Sequence, residues 1–230
     1  MNQPPALPSR LQPAPLPYCP GCGHAAVHGL LVQALAELDL AGRSILLPPS
    51  GCARAMCEHL EMDMGQAPRG QALAVATGLK RVLPQQVVLA YQGDGELIAG
   101  LDQALLAAQR GEGLTLLLVN NSGPAPYGGQ RPADASLDLG RLLAGAAGCV
   151  YAERVGLAGA EQVARAGQAL ALALRAQMQG LGFSLVEVLA PCPKRWRMAP
   201  AQALAWSGRD MSQALPLGVL KDAAHAEAEP

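Results

Sequence analysis

Aromatic side chains are scarce in this 230-residue chain, at 3%, and charge is both sparse, at 15%, and balanced, with a formal net charge of −1. That balance excludes a broad basic patch, and with it nucleic-acid binding through phosphate attraction or docking to an anionic membrane. No apolar run approaches the ~20 residues that cross a bilayer. The start has no basic segment followed by an apolar one, so no secretory leader is expected and the cytoplasm is the expected compartment. No third glycine follows Gly93 and Gly95 at the dinucleotide-binding offset, which disfavours NAD. What the chain does have is Leu, Val and Ala in quantity, half of all residues being apolar. Such a core suits a parallel sheet covered by helices on both faces.

Punctuation sets the organisation. Pro4, Pro5, Pro8, Pro13, Pro15 and Pro17 make residues 1–17 an extended arm. Residues 18–222 read as one α/β domain, and residues 223–230 as a flexible acidic tail. Apolar spacing predicts helices over 24–38, 71–83, 97–110, 137–147 and 160–179, the last one packing in the core and at a subunit interface. Strands are predicted over 44–47, 86–91, 114–119, 149–152 and 183–189. This alternation predicts a doubly wound, mostly parallel sheet.

Two of the predicted strands end in turn residues, Gly93-Asp94-Gly95 and Asn120-Asn121. Each alone is an ordinary turn or strand exit. Together, one αβ unit apart, they set a carboxylate and an amide oxygen at neighbouring strand ends. Mg²⁺ takes a few hard oxygen ligands and shares its remaining sites with phosphate, so the pair suits a metal-bridged diphosphate. Glycines flanking Asp94 let the backbone approach phosphate oxygens.

With no leader, the six cysteines are not expected to form disulfides. Cys19-Pro20-Gly21-Cys22 is a knuckle whose thiolates can converge on one metal. Cys52 follows the first predicted strand in Ser50-Gly51-Cys52, and Cys192 follows the last. Strand-end loops of a parallel sheet gather on one edge, so these four thiols suit a Cys₄ site for zinc or an iron–sulfur cluster, and spacing does not choose between them. Cys149, within an apolar strand, reads as a buried inert thiol and Cys57 as an ordinary helical position. His24 and His28 share a helical face, but with no acidic ligand nearby they read as capping or packing residues.

Gly-Asp-Gly followed by Asn-Asn resembles the thiamine-diphosphate fingerprint. That likeness implies Mg²⁺ ligands at the Asp94 and Asn121 side chains and the Gly123 carbonyl. The segments Tyr18–His24, Ala74–Pro84, Tyr91–Gly95, Asn120-Asn121 with Gly128-Gly129-Gln130, and Pro216–Asp222 together resemble the β subunit of 2-oxoacid:ferredoxin oxidoreductases of the 2-oxoglutarate and ketoisovalerate type. The resemblance implies cofactor contacts from Ser50, Gly51, Gly93, Asp94, Gly95, Glu96, Asn121, Gly123 and Tyr127. It also implies a [4Fe–4S] cluster on Cys19, Cys22, Cys52 and Cys192. The implied reaction is decarboxylation of a 2-oxoacid, with the acyl group passed to coenzyme A and the electrons to ferredoxin. The carboxylate that activates the cofactor is expected on a partner, the α subunit, with γ or δ subunits as further partners.

The chain departs from that family in three places. Glu96 stands where an aspartate is usual, Arg69-Gly70-Gln71 where His-Gly-Arg is usual, and Pro124-Ala125-Pro126-Tyr127 in the loop after Asn121. Those loop changes motivate an alternative, a cluster-bearing paralogue with lost or altered thiamine chemistry that transfers electrons or acts as a scaffold. Lys194, Arg195 and Arg197 around Trp196 suit either an acidic ferredoxin or a solvated loop face.

Overall fold

Val87 to Gln92 bury every side chain, the pattern of a strand covered on both faces. In the computed structural model, which describes residues 18–121 and 137–224, this run is β3 (Val87–Gly93). β3 pairs in parallel with β1 (Ser44–Leu47) and β4 (Thr115–Asn120). β4 pairs with β6 (Phe183–Leu189), and β6 with β5 (Cys149–Gly156), again in parallel. A short β2 (Asp63–Met64) and the antiparallel β7 (Gly218–Asp222) form the edges, giving the order β2-β1-β3-β4-β6-β5-β7.

Alternation along β3 divides the core. Leu89 and Tyr91 pack with Leu31 of α1 (Gly23–Glu37) and Leu170 of α6 (Ala160–Met178). Val88 and Ala90 face α2 (Ala72–Val82), α4 (Leu101–Arg110) and α5 (Leu139–Ala144). The doubly wound sheet expected from the alternating elements is the fold observed.

Three local differences have physical causes. The helix expected over 97–110 starts at Asp94, as α3 (Asp94–Ala99), and breaks at Gly100. Gly70 crosses there so closely that a Cβ on Gly100 would lie 1.6 Å from the Gly70 carbonyl oxygen. β5 runs past Ala152 because its charged residues are paired rather than solvated. Arg165 reaches Glu153 at 2.5 Å, and Arg154 reaches Glu187 at 2.7 Å. After β6 the chain adds α7 (Pro193–Trp196) and α8 (Pro200–Trp206), whose Trp196 and Trp206 pack with Leu189, Met211 and Leu215. The arm over 1–17 and residues 225–230 of the tail lie outside the described residues. Among those described, no helix is long and apolar enough to cross a membrane.

Both ring nitrogens of His28, on α1, are buried without a hydrogen-bond partner. Burial pushes its pKa down to about 4, with His59 adding to the effect. Between that value and the ordinary 6.5, the unfolded chain binds a proton that the native chain refuses, so stability rises with pH across this window. Replacing His28 with leucine is expected to flatten that dependence. Urea midpoints at pH 7.5 and 5.0 should differ less in the variant than in the wild type.

Candidate functional site

Four neighbouring parallel strands, β1, β3, β4 and β6, end on the same edge of the sheet. The segments that follow them carry, in turn, Cys52, Asp94, Asn121 and Cys192. Chain order reverses between β1 and β3, which places a crevice at their carboxyl ends.

Asp94 is the first residue of α3 and only 6% exposed. Its Oδ2 is buried with no hydrogen-bond partner. Burial pushes its pKa up to about 6, offset in part by the Gly95 N–H and by Arg195, while Glu187 adds to the rise. A buried, unpaired carboxylate oxygen is costly unless a cation takes the charge. Beside it, Gly93 leaves room: a Cβ built there would meet nothing nearer than the Val119 carbonyl oxygen at 4.0 Å. Metal-borne phosphate therefore fits the donor and the space. The Asn121 carbonyl accepts a hydrogen bond from Trp196 Nε1 at 3.0 Å. Gly123 and Tyr127 lie outside the described residues.

Glu96 and Ser50 meet each other. The Ser50 N–H donates to both Glu96 carboxylate oxygens, at 3.0 and 3.2 Å, which fixes the loop leading to Gly51 and Cys52. Arg69 donates to the Gly95 carbonyl at 2.9 Å and so holds the first turn of α3.

The knuckle docks directly on the loop of Cys192. The Cys22 N–H closes the turn onto the Cys19 carbonyl, and the Gly23 N–H donates to the Pro191 carbonyl, both at 2.9 Å. Gly21 has φ +74°, in the left-handed region that glycine tolerates. Tyr18 reaches the Ala53 carbonyl at 3.4 Å, joining the knuckle to the 3₁₀ turn Gly51–Glu58 that holds Cys52. Burial pushes the Cys22 thiol up to about 11, and the charges of Cys192, Cys19 and Cys52 raise it further. Cys192 is raised by burial and by Cys52 and Cys19. The four thiols are thus within electrostatic reach of one another. Among the described residues, however, no three His, Cys, Asp or Glu side chains converge closely enough to chelate an ion. Four cysteine thiols are the donor chemistry of a zinc or iron–sulfur centre, whose positive charge would stabilise them as thiolates.

His24 Nδ1 and the Tyr91 hydroxyl share a hydrogen bond at 2.6 Å, and burial keeps the imidazole neutral and the phenol protonated. Cys149 is buried as expected.

A polar row beneath the crevice escaped sequence reasoning. Gln92, Leu118, Glu187 and Arg154 are in register across β3, β4, β6 and β5. Arg154 also pairs with Asp138, and Asn120 Nδ2 donates to Glu187 Oε1 at 2.7 Å. Both polar atoms of the Gln92 amide are buried without a partner. The one signal available was Glu187 itself, a carboxylate in the middle of an apolar strand.

Residues 52–188 match the model of the thiamine pyrophosphate enzyme, C-terminal TPP binding domain. The chain belongs to this family. The TPP-binding domain match takes in Cys52, Asp94 and Asn121 and stops short of Cys192, and the Cys19–Cys22 knuckle precedes it. Among curated proteins the chain is similar to the ketoisovalerate oxidoreductase subunit VorA of Methanothermobacter thermautotrophicus, with 35% identity over 93% of this chain and 49% of the relative. It is also similar to the 2-oxoglutarate synthase subunit KorB of Archaeoglobus fulgidus, with 29% identity over 85% of this chain and 76% of the relative. The chain spans about half the length of the VorA relatives it matches.

Among solved structures, the TPP-binding fold is shared with 2-oxoglutarate:ferredoxin oxidoreductase from Magnetococcus marinus, solved with 2-oxoglutarate, coenzyme A and succinyl-CoA bound. The TM-score is 0.65 at 20% identity, covering 91% of this chain and 82% of that one.

Proposed function

We propose that this chain is the thiamine-diphosphate and cluster subunit, of β type, in a 2-oxoacid:ferredoxin oxidoreductase. The observation that carries the reading is the orphaned Oδ2 of Asp94 at the mouth of the β1–β3 crevice, beside the open face of Gly93. Asp94 and Asn121, with the Gly123 carbonyl, hold Mg²⁺. Gly93 and Gly95 admit the diphosphate, and Glu96 keeps Ser50 and Gly51 at the rim. Tyr127 is a further cofactor contact by the family resemblance. Cys19, Cys22, Cys52 and Cys192 hold a [4Fe–4S] cluster.

When bound, thiamine diphosphate supplies a carbon nucleophile and an electron sink for decarboxylation, and the cluster supplies one-electron steps. The chain's own residues bind and orient. Asp94 would supply negative charge to the metal, and Arg69 keeps the first turn of α3 in place. The activating carboxylate comes from an α subunit, with γ or δ subunits as further partners. The acyl group passes to coenzyme A and the electrons to ferredoxin, in the cytoplasm.

The test is anaerobic co-purification of the full chain with its natural partners, followed by assay for iron, acid-labile sulfide, zinc and thiamine diphosphate. Iron and sulfide in equal amounts with bound cofactor, and viologen reduction by a 2-oxoacid, are expected. A cluster that never acquires cofactor, even with added Mg²⁺, would convert the reading to an electron-transfer subunit. Zinc alone would overturn both.

A further inference from the structure

α7 follows Cys192 without a break and ends at Trp196. Its contacts run in both directions. On one side, the Trp196 backbone N–H donates to the Cys192 carbonyl at 3.0 Å. Within the helix, the Arg195 Nε is buried with no hydrogen-bond partner. The next residue, Trp196, donates its indole N–H to the Asn121 carbonyl at 3.0 Å. Trp196 thus reaches one of the two residues assigned to Mg²⁺, Asn121, at its backbone carbonyl, from the same short helix that adjoins one of the four thiols.

The bracket is braced from behind. Trp196 meets Trp206 edge-on with ring centroids 4.5 Å apart, over Leu189, Met211 and Leu215. Arg197 ends the helix at φ +55°, a left-handed conformation that a non-glycine residue keeps only where its surroundings impose it. A helix fixed at both ends cannot shift at Cys192 without moving the indole that holds Asn121.

We infer that the segment Cys192–Trp196 couples the two sites, so that filling the thiol site fixes α7 and, through the Trp196 N–H, sets Asn121 in its metal-binding pose. This inference rests on the reading of both sites given above. Coupling of this kind is reciprocal: bound Mg²⁺ and thiamine diphosphate must in turn tighten binding of the metal by the thiols by the same factor. A single neutral hydrogen bond is worth about a 3- to 10-fold change in affinity.

The experiment uses the full chain with its accompanying subunits, prepared anaerobically in cluster-loaded and chelator-stripped forms. Binding of thiamine diphosphate at saturating Mg²⁺ is followed by calorimetry. The loaded wild type is expected to bind about 3- to 10-fold more tightly than the stripped form. Trp196→Phe keeps the ring against Trp206 but loses the N–H, and its loaded and stripped forms should bind alike, at the affinity of the stripped wild type. Equal binding by both wild-type forms, or a variant that keeps the difference, would overturn the inference alone. Failure of either wild-type form to bind the cofactor would instead overturn the reading of the site, and the coupling with it. Should Trp196→Phe not retain iron, the equilibrium retention of iron by the wild type against a competing chelator decides. It must rise when Mg²⁺ and thiamine diphosphate are present, and unchanged retention refutes the coupling.

Discussion

Asp94→Asn is expected to weaken retention of Mg²⁺ and thiamine diphosphate by at least ~100-fold, since even the residues that orient a metal ligand are worth 10- to 100-fold. The same substitution should leave the cofactor-free protein as stable as the wild type, or more so. Asparagine keeps the shape of the side chain and the acceptor for the Gly95 N–H, yet has no charge to desolvate in a site where Oδ2 lacks a partner. Cofactor affinity and apoprotein stability thus move in opposite directions. A merely structural aspartate, serving to cap α3, would lose stability on substitution and leave affinity alone. Calorimetric titration with thiamine diphosphate at fixed Mg²⁺, paired with urea denaturation of the stripped protein, separates the two. Unchanged cofactor affinity would remove Asp94 from the site.

Asp94 and Asn121 were legible because glycine, aspartate and asparagine directly after β-rich apolar runs mark strand ends, and parallel strand ends share an edge. Strands β1, β3, β4 and β6 were legible for a related reason, since buried strands read as unbroken apolar runs. What stayed hidden depends on contacts between residues far apart in sequence. Glu153 and Arg154 look like the end of a strand until Arg165, Glu187 and Asp138 are seen to pair with them. Gly100 looks like an ordinary helical position until Gly70 is seen to cross it. Arg195 and Trp196 sit in a basic, Pro-flanked stretch that suits a solvated surface. In the structure the indole turns inward to Asn121 and only Lys194 and Arg197 of that cluster are exposed. Local pattern carries no signal for a hydrogen bond between residues so distant in the chain.

Arg154→Met is expected to cost about 3–5 kcal/mol of stability, the usual penalty for removing one partner of a fully buried ion pair. Arg154 and Glu187 are both 0% exposed. The Arg154 Nε donates to Glu187 at 2.7 Å, and the guanidinium also binds Asp138. Methionine fills much of the volume of the arginine stem, so the penalty comes chiefly from stranding the Glu187 carboxylate in an apolar layer rather than from a cavity. Its remaining partner, the Asn120 amide, is neutral and cannot replace the guanidinium. Adding Glu187→Gln to Arg154→Met removes the stranded charge while keeping an acceptor for Asn120, and should recover most of the loss. Urea denaturation of the two variants tests this, and a single-variant cost below about 1 kcal/mol, the range of an exposed pair, would show that the charge is not held as the structure has it. The consequence reaches the site because Glu187 holds Asn120 and Asn120 precedes Asn121. Arg154→Met should therefore also weaken thiamine diphosphate binding. The double variant should restore stability more fully than affinity, since an amide holds Asn120 less firmly than a carboxylate does.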